Sequence, residues 1–543
     1  MRLFGISVAV TLLALGATAC RQAPPTTSPP ATSAPAAAPR AAAHSSQPAG
    51  IAWFEGDVAQ AFVAAAQQHK PVFVYFGAVW CPPCQELKAT IFRRKDFLDR
   101  LTLFIPVYLD GDAPGAQRWA DEFHITGYPT VLVLRSDRSE LERVSGGMDL
   151  GRYAEVLDLG SSAARSAGEI LASIDQGAGA LSRDECRLLA YNGWYLTDEW
   201  IFSEEHPGWL ARTATALGNA AERCTPEAAT ERARLRVVAA QAAVAAESDG
   251  LKAGKPPSRA LGTAVERVRT ILGDAALSAS VADALEGLPA PFFAAMLKLD
   301  PARAPAAEQD WMRAMEVLAT DHRYSAADRL YAIGAEIKAA KALEPSGKAP
   351  AALGDEARRR IDSALAAEHE PYARTSLVNS ALNVLGELKD RDRSYAILAA
   401  EIKTSKTPYY YMSDLGELEE ERGHKTEALD WFARAYRESA GQATRLQWGM
   451  IYLRALIRIR PDDEARIRDA ALQVLGELDG GARIHGRTRA GLGRLALRLH
   501  EWNKDGKHAP AVAAIRERVD GICRKLPAGD TGAATCNHFL ASV

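Results

Sequence analysis

Cys81 and Cys84 stand between a hydrophobic run, Val72-Phe73-Val74-Tyr75-Phe76, and a stretch of good helix formers, Gln85-Glu86-Leu87-Lys88-Ala89. The run has the composition of a buried strand, ended by Gly77, and the stretch predicts a helix that the cysteines open. That placement has a chemical consequence. A helix N-terminus offers unpaired N–H groups and the positive end of the dipole, so it favours an anion. A thiolate is the nucleophile of disulfide exchange, so Cys81 is the expected attacking sulfur, exposed and ionised near neutrality, and Cys84 the neighbour that displaces it. Pro82 and Pro83 are tolerated because first-turn residues have no intrahelical N–H bond to lose. One Cys-x-x-Cys, with no second pair and no histidine partner near it, does not make a zinc site, and no metal or cofactor is called for.

A second motif lies downstream, Ile125-Thr126-Gly127-Tyr128-Pro129-Thr130. Together with Trp80-Cys81-Pro82-Pro83-Cys84 it resembles the thioredoxin superfamily, and within it the thioredoxin-like domains of bacterial periplasmic thiol–disulfide interchange proteins. The resemblance implies a cis peptide bond at Pro129, packed beside the two cysteines; only a bond preceding proline makes cis cheap. It also implies that Trp80 shields the pair and that Tyr128 and Pro129 offer backbone edge to a client. An α/β thioredoxin fold is expected over 51–162. Asp57 is placed to cap a helix carrying Val58, Ala61, Phe62 and Ala65. Strands are predicted over 103–109, over 128–134 beginning at Pro129, and at the edge over 140–145, with helices over 117–123 and 150–159. Thioredoxins keep a buried aspartate six residues before the first cysteine, with a lysine partner. Tyr75 and Pro106 occupy those places here. Cys84 must then lose its proton to another group or to water, and Glu86 and His124 are the nearest in sequence, each with a structural or solvated role as the simpler reading.

From about residue 163 to the C-terminus, the composition shifts to Ala, Leu, Glu and Arg with helical spacing. This predicts a large all-α region of helical hairpins. Leu415-Gly416, Gly423, Ala428, Phe432 and Ala435 resemble a tetratricopeptide repeat, small residues where two helices touch and bulky ones between. The repeat period is irregular, so a solenoid and an irregular bundle both stay open. Trp194, Trp200, Trp209, Trp431 and Trp448 read as packing residues. Gly491-Leu492-Gly493 lacks a third glycine and a preceding strand, which dismisses a nucleotide loop.

The remaining cysteines and the N-terminus speak to compartment. Met1-Arg2, an apolar Leu3 to Leu15 and Ala17-Thr18-Ala19 read as a signal peptide over 1–19, too short to span a membrane comfortably. Cys20 follows at once, and the segment resembles a bacterial lipoprotein signal, with Ala17 where leucine is usual. Lipidation at Cys20 and simple cleavage are the two outcomes. A Pro/Ala-rich stretch to Gly50 reads as a disordered tether. Cys186, Cys224, Cys523 and Cys536 are structural disulfide candidates in an oxidising compartment, with three pairings possible.

Lys and Arg number 65 against 68 Asp and Glu, a balance that gives no support for nucleic-acid binding. Arginines cluster at Arg483, Arg487, Arg489, Arg494 and Arg498, and a solvated helix face accounts for them. The chain therefore reads as an exported thiol–disulfide oxidoreductase of the periplasm, lipid-anchored to the membrane. It would reduce or exchange disulfides of client proteins and be recharged by a membrane thiol electron donor. With proline at both positions between the cysteines, no charge stabilises the thiolate there, which favours a reductase or exchanger over a primary oxidase. The alternatives are a tethered helical-repeat adaptor, whose thioredoxin-like domain docks partners without turnover, and a structural envelope lipoprotein.

Overall fold

A central strand that is apolar at every position has to be covered on both faces, and β1 (Val72–Gly77) is: all six residues are buried. In the computed structural model it pairs in parallel with β2 (Ile105–Asp110) and antiparallel with β3 (Thr130–Leu134), which pairs antiparallel with β4 (Glu140–Val144). The order is β2-β1-β3-β4. Residues 48, 50–113, 115–144, 150–177, 179–201, 203, 204, 206–288, 290–344, 346–479, 484, 486–526, 530 and 532–543 are described. The signal peptide, Cys20, nearly all of the tether and Arg483 lie outside them.

Local chemistry explains the elements. Asp57 caps α1 (Val58–Gln68) through a capping box with Gln60, and α1 buries Val58, Ala61, Phe62 and Ala65. β2 alternates buried Ile105, Val107 and Leu109 with half-buried Pro106, Tyr108 and Asp110, and Pro106 is tolerated because β2 is an edge strand. β3 starts at Thr130, one residue after the predicted Pro129, which has no N–H to give the ladder. The outer edge of β4 is covered from the helical region: Gly193 N–H donates to the Arg143 carbonyl (2.6 Å) and the Arg143 N–H to Asn192 Oδ1 (3.0 Å). α2 (Pro82–Ala89), α3 (Lys95–Leu101), α4 (Ala116–Glu122) and α5 (Leu150–Ser162) complete the thioredoxin order expected from the sequence.

Tyr75 stands in register with Tyr108 across β1 and β2, and the two rings stack at 5.4 Å. Phe92 meets Tyr75 edge-on at 4.8 Å and Trp53 lies against all three. An aromatic cluster thus fills the space where thioredoxins bury a carboxylate. The Tyr75 hydroxyl is buried with no hydrogen-bond partner among the described residues.

Beyond Ser162 the described residues form only helices and short irregular segments, as expected, apart from isolated bridges at Asn192 and between Leu181 and Cys224. Helices 408–421 and 425–438 form a hairpin in which Gly416 lies against the Phe432 ring; a Cβ on Gly416 would meet that ring at 2.9 Å. The turn between them uses Gly423 at φ +85°. Cys186–Cys224 and Cys523–Cys536 form disulfides, with Cα separations of 5.9 and 6.0 Å. Trp194 and Trp448 are buried and donate to the Leu189 and Tyr409 carbonyls (2.9 and 2.8 Å). No described helix is long and apolar enough to cross a membrane.

Candidate functional site

Where β1 ends at Gly77, the chain turns through Ala78–Trp80 and enters α2 at Cys81, which takes the N-cap position with extended backbone (φ −79°, ψ 113°). Pro82 and Pro83 fill the first turn. The Cys84 N–H donates to Cys81 Sγ at 3.2 Å, so the sulfur does the work that serine or aspartate oxygen usually does at an N-cap. A sulfur held there is the one that the helix end would stabilise as a thiolate. In this structure, Cys81 and Cys84 are joined as a disulfide with their Cα atoms 5.2 Å apart.

The Tyr128–Pro129 peptide bond is cis. The Tyr128 ring stacks on Phe76 at 5.0 Å and meets Trp80 edge-on at 5.6 Å, which ties the cis-proline loop to the end of β1 and to the residue before the pair. The Tyr128 hydroxyl accepts from Gln117 Nε2 (3.2 Å) and lies over Gly111, where any Cβ would collide with the ring.

Contrary to the exposed sulfur expected from the sequence, Cys81 is 2% and Cys84 0% accessible. The helical region packs on Trp80 and Pro82, the residues on either side of Cys81. Trp80 Nε1 donates to Thr444 Oγ1 (2.8 Å), and its ring packs edge-on against Trp448 at 4.8 Å and parallel to Tyr410 at 6.1 Å. The Ser376 hydroxyl, on helix 371–388, donates to the Pro82 carbonyl at 2.5 Å. Asp112, just after β2, accepts from the Thr444 N–H (2.9 Å) and hydroxyl (2.5 Å). Arg487 places its guanidinium 4.3 Å from the Tyr128 ring centre and bonds Gln447, so one member of the arginine run abuts the site instead of facing solvent.

Neither carboxyl nor imidazole next to the pair in sequence is turned toward it. Glu86 lies two residues past Cys84, about 200° around the helix. It faces Asp328, Glu368, Ser325 and Ser376, and burial, reinforced by the Asp328 carboxyl, pushes it up to about 7. Asp328 is itself raised to about 6, chiefly by burial. His124 is exposed and bonded to Asp198 (3.3 Å), which raises its pKa. Lys88, one turn past Cys84 on the same face of α2, is pushed down to about 8 by burial, with Asp110 opposing. Among the described residues no cluster of three His, Cys, Asp or Glu side chains is arranged to hold a metal.

Asp112, Thr444, Ser376 and Tyr410 went unseen in the sequence as site residues, and Trp448 was noted there only as packing. Arg487 belonged to a run that was visible without its target.

Two comparisons bear on this geometry. Residues 58–161 match the family model of a thioredoxin-like domain. Over 99 residues the chain is 28% identical to the thiol:disulfide interchange protein DsbD of Photorhabdus laumondii, a stretch that covers 18% of this chain and 17% of that relative. The chain thus spans about a sixth of the curated relative it matches. Residues 58–161 are a thioredoxin-like domain, and the rest of the described chain is helical.

Proposed function

We propose that this thioredoxin-like domain carries out thiol–disulfide exchange on client proteins through Cys81 and Cys84. The observation that carries the reading is the Cys84 N–H bonded to Cys81 Sγ at the N-cap of α2. In the reduced state, the Cys81 thiolate attacks one sulfur of a client disulfide. The client S–S bond breaks, a mixed disulfide forms and the departing client thiolate takes up a proton. Cys84, deprotonated, then attacks Cys81 Sγ, releases the second client thiol and leaves the Cys81–Cys84 disulfide. Two electrons pass from the pair to the client, and a dithiol donor must return them. Trp80, Tyr128 and cis-Pro129 frame the attacking sulfur, and Pro82 and Pro83 set the first helical turn without adding charge. The absence of charge between the cysteines supports reduction or isomerisation over primary oxidation.

The similarity to DsbD and the signal-like N-terminus support a periplasmic setting, with Cys20 as a lipid anchor and a membrane thiol protein as donor. The burial of both sulfurs favours a second reading, an adaptor in which the domain docks without turnover. Reduction of insulin disulfides by the full chain, with dithiothreitol as donor, separates the two: turnover abolished by Cys81→Ser supports exchange, and equal rates in both support the adaptor.

A further inference from the structure

Disulfide exchange is a displacement at sulfur, so a client sulfur has to reach Cys81 in line with the bond that breaks. At 2% accessibility, Cys81 gives no polypeptide that approach. Taking the pair as the redox centre, we infer that the part of the helical region carrying Ser376, Tyr410, Thr444 and Trp448 is a removable cover: docked, it holds the pair off, and it opens when a client polypeptide takes over Trp80 and the Pro82 carbonyl.

Aromatic packing of Trp80 on Trp448 and Tyr410 is part of what holds the cover, and the hydrogen bonds around it are exchangeable. Helix 442–459 starts at Gly441, which has no side chain to cap it, and the cap comes from Asp112 in the redox domain. Gly441 at φ +90° leaves room for that carboxylate; any Cβ there would collide with it. Undocked, the helix N–H groups and the Asp112 carboxylate both have water as an alternative partner. The second contact, Ser376 on the Pro82 carbonyl, has the same property.

The cover also occupies the surface a client needs. Trp80 gives its indole N–H to Thr444, and Trp448 and Tyr410 lie against its ring. A client and the cover therefore compete for one set of groups. One further group works against docking. The helices that pack on α2 bury the Glu86 carboxyl beside that of Asp328, and this burial outweighs the help of the Ser325 and Ser376 hydroxyls, so docking disfavours the ionised acid.

The test is the rate at which iodoacetamide alkylates Cys81 in the reduced full chain, read by mass spectrometry. Asp112→Ala/Thr444→Val is expected to react at least about tenfold faster than wild type, the scale of losing a charged cap, with the near-ultraviolet circular dichroism of the fold retained. In wild type, hydrogen exchange at the Ala443 and Thr444 amides is expected to outpace that at Val74 in β1. The cover is overturned if wild-type Cys81 reacts as fast as in the urea-unfolded chain. It is equally overturned if the variant does not accelerate and the Thr444 amide exchanges only together with β1. An opened variant that alkylates readily yet does not reduce insulin would sink the redox reading and leave the cover standing.

Discussion

Asp112 caps helix 442–459 from 332 residues away, accepting both the backbone N–H and the hydroxyl of Thr444. The bond joins the loop after β2 to the surroundings of the Cys81–Cys84 disulfide, since the same Thr444 oxygen accepts from Trp80. Charged caps of this kind contribute about 1–2 kcal/mol. Asp112→Ala is predicted to lower the unfolding free energy by that amount. A double-mutant cycle with Thr444→Val should show coupling of roughly 0.5 kcal/mol or more. Purely additive effects in urea melts would mean that the two residues stabilise the fold separately.

Glu86 gives the docked structure a pH dependence. Burial raises its carboxyl from 4.5 to about 7, with the Asp328 and Glu368 carboxyls adding and the Ser325 and Ser376 hydroxyls opposing. The folded state therefore holds the proton more tightly than the unfolded state. That contribution is fully present below the unfolded value and is lost as pH rises through about 7. Glu86→Gln should match wild type near pH 4 and exceed it at pH 8 by on the order of 2 kcal/mol. A variant equally stabilised at both pH values would contradict the assignment.

Two glycines in helices should respond with opposite signs. Gly416→Ala forces a methyl into the Phe432 ring and is predicted to destabilise by about 1–3 kcal/mol, as helices 408–421 and 425–438 are pushed apart. Gly521, inside helix 509–523, has nothing within 4 Å of its would-be Cβ, so Gly521→Ala should stabilise by about 0.5–1 kcal/mol. Thermal melts of the two variants check both signs.

The bridges in the helical region should differ in strength. Cys186–Cys224 closes a separation of 38 residues and Cys523–Cys536 one of 13. Loop-closure entropy predicts a loss of about 4 kcal/mol for Cys186→Ala/Cys224→Ala and about 3 kcal/mol for Cys523→Ala/Cys536→Ala. Denaturant unfolding of the two double variants provides the comparison, and a reversed order would show that native-state packing outweighs chain entropy.

The thioredoxin-like domain was legible because its signals are local. The apolar run of β1, the N-cap of α1 and the sulfur at the start of α2 each depend on residues within one turn or one strand. The cover was not legible, because nothing periodic marks a contact between residues hundreds of positions apart. Asp112 and Thr444 carry no local signal that would join them. Glu86 looked like a neighbour of Cys84, and helix geometry turned it to the far side. Trp448 was correctly read as a packing residue; that its partner is Trp80 needed the fold.

Exchange through Cys81 depends on the ionisation of one sulfur. In the full chain carrying Cys84→Ala and Glu86→Gln, which removes the acid that makes docking pH-dependent, the pH dependence of Cys81 alkylation by iodoacetamide reports that ionisation. A midpoint at or below about 7.5, lowered from the free-cysteine value of about 8.5 by the start of α2, is the predicted result. A midpoint at or above about 8.5 would contradict it.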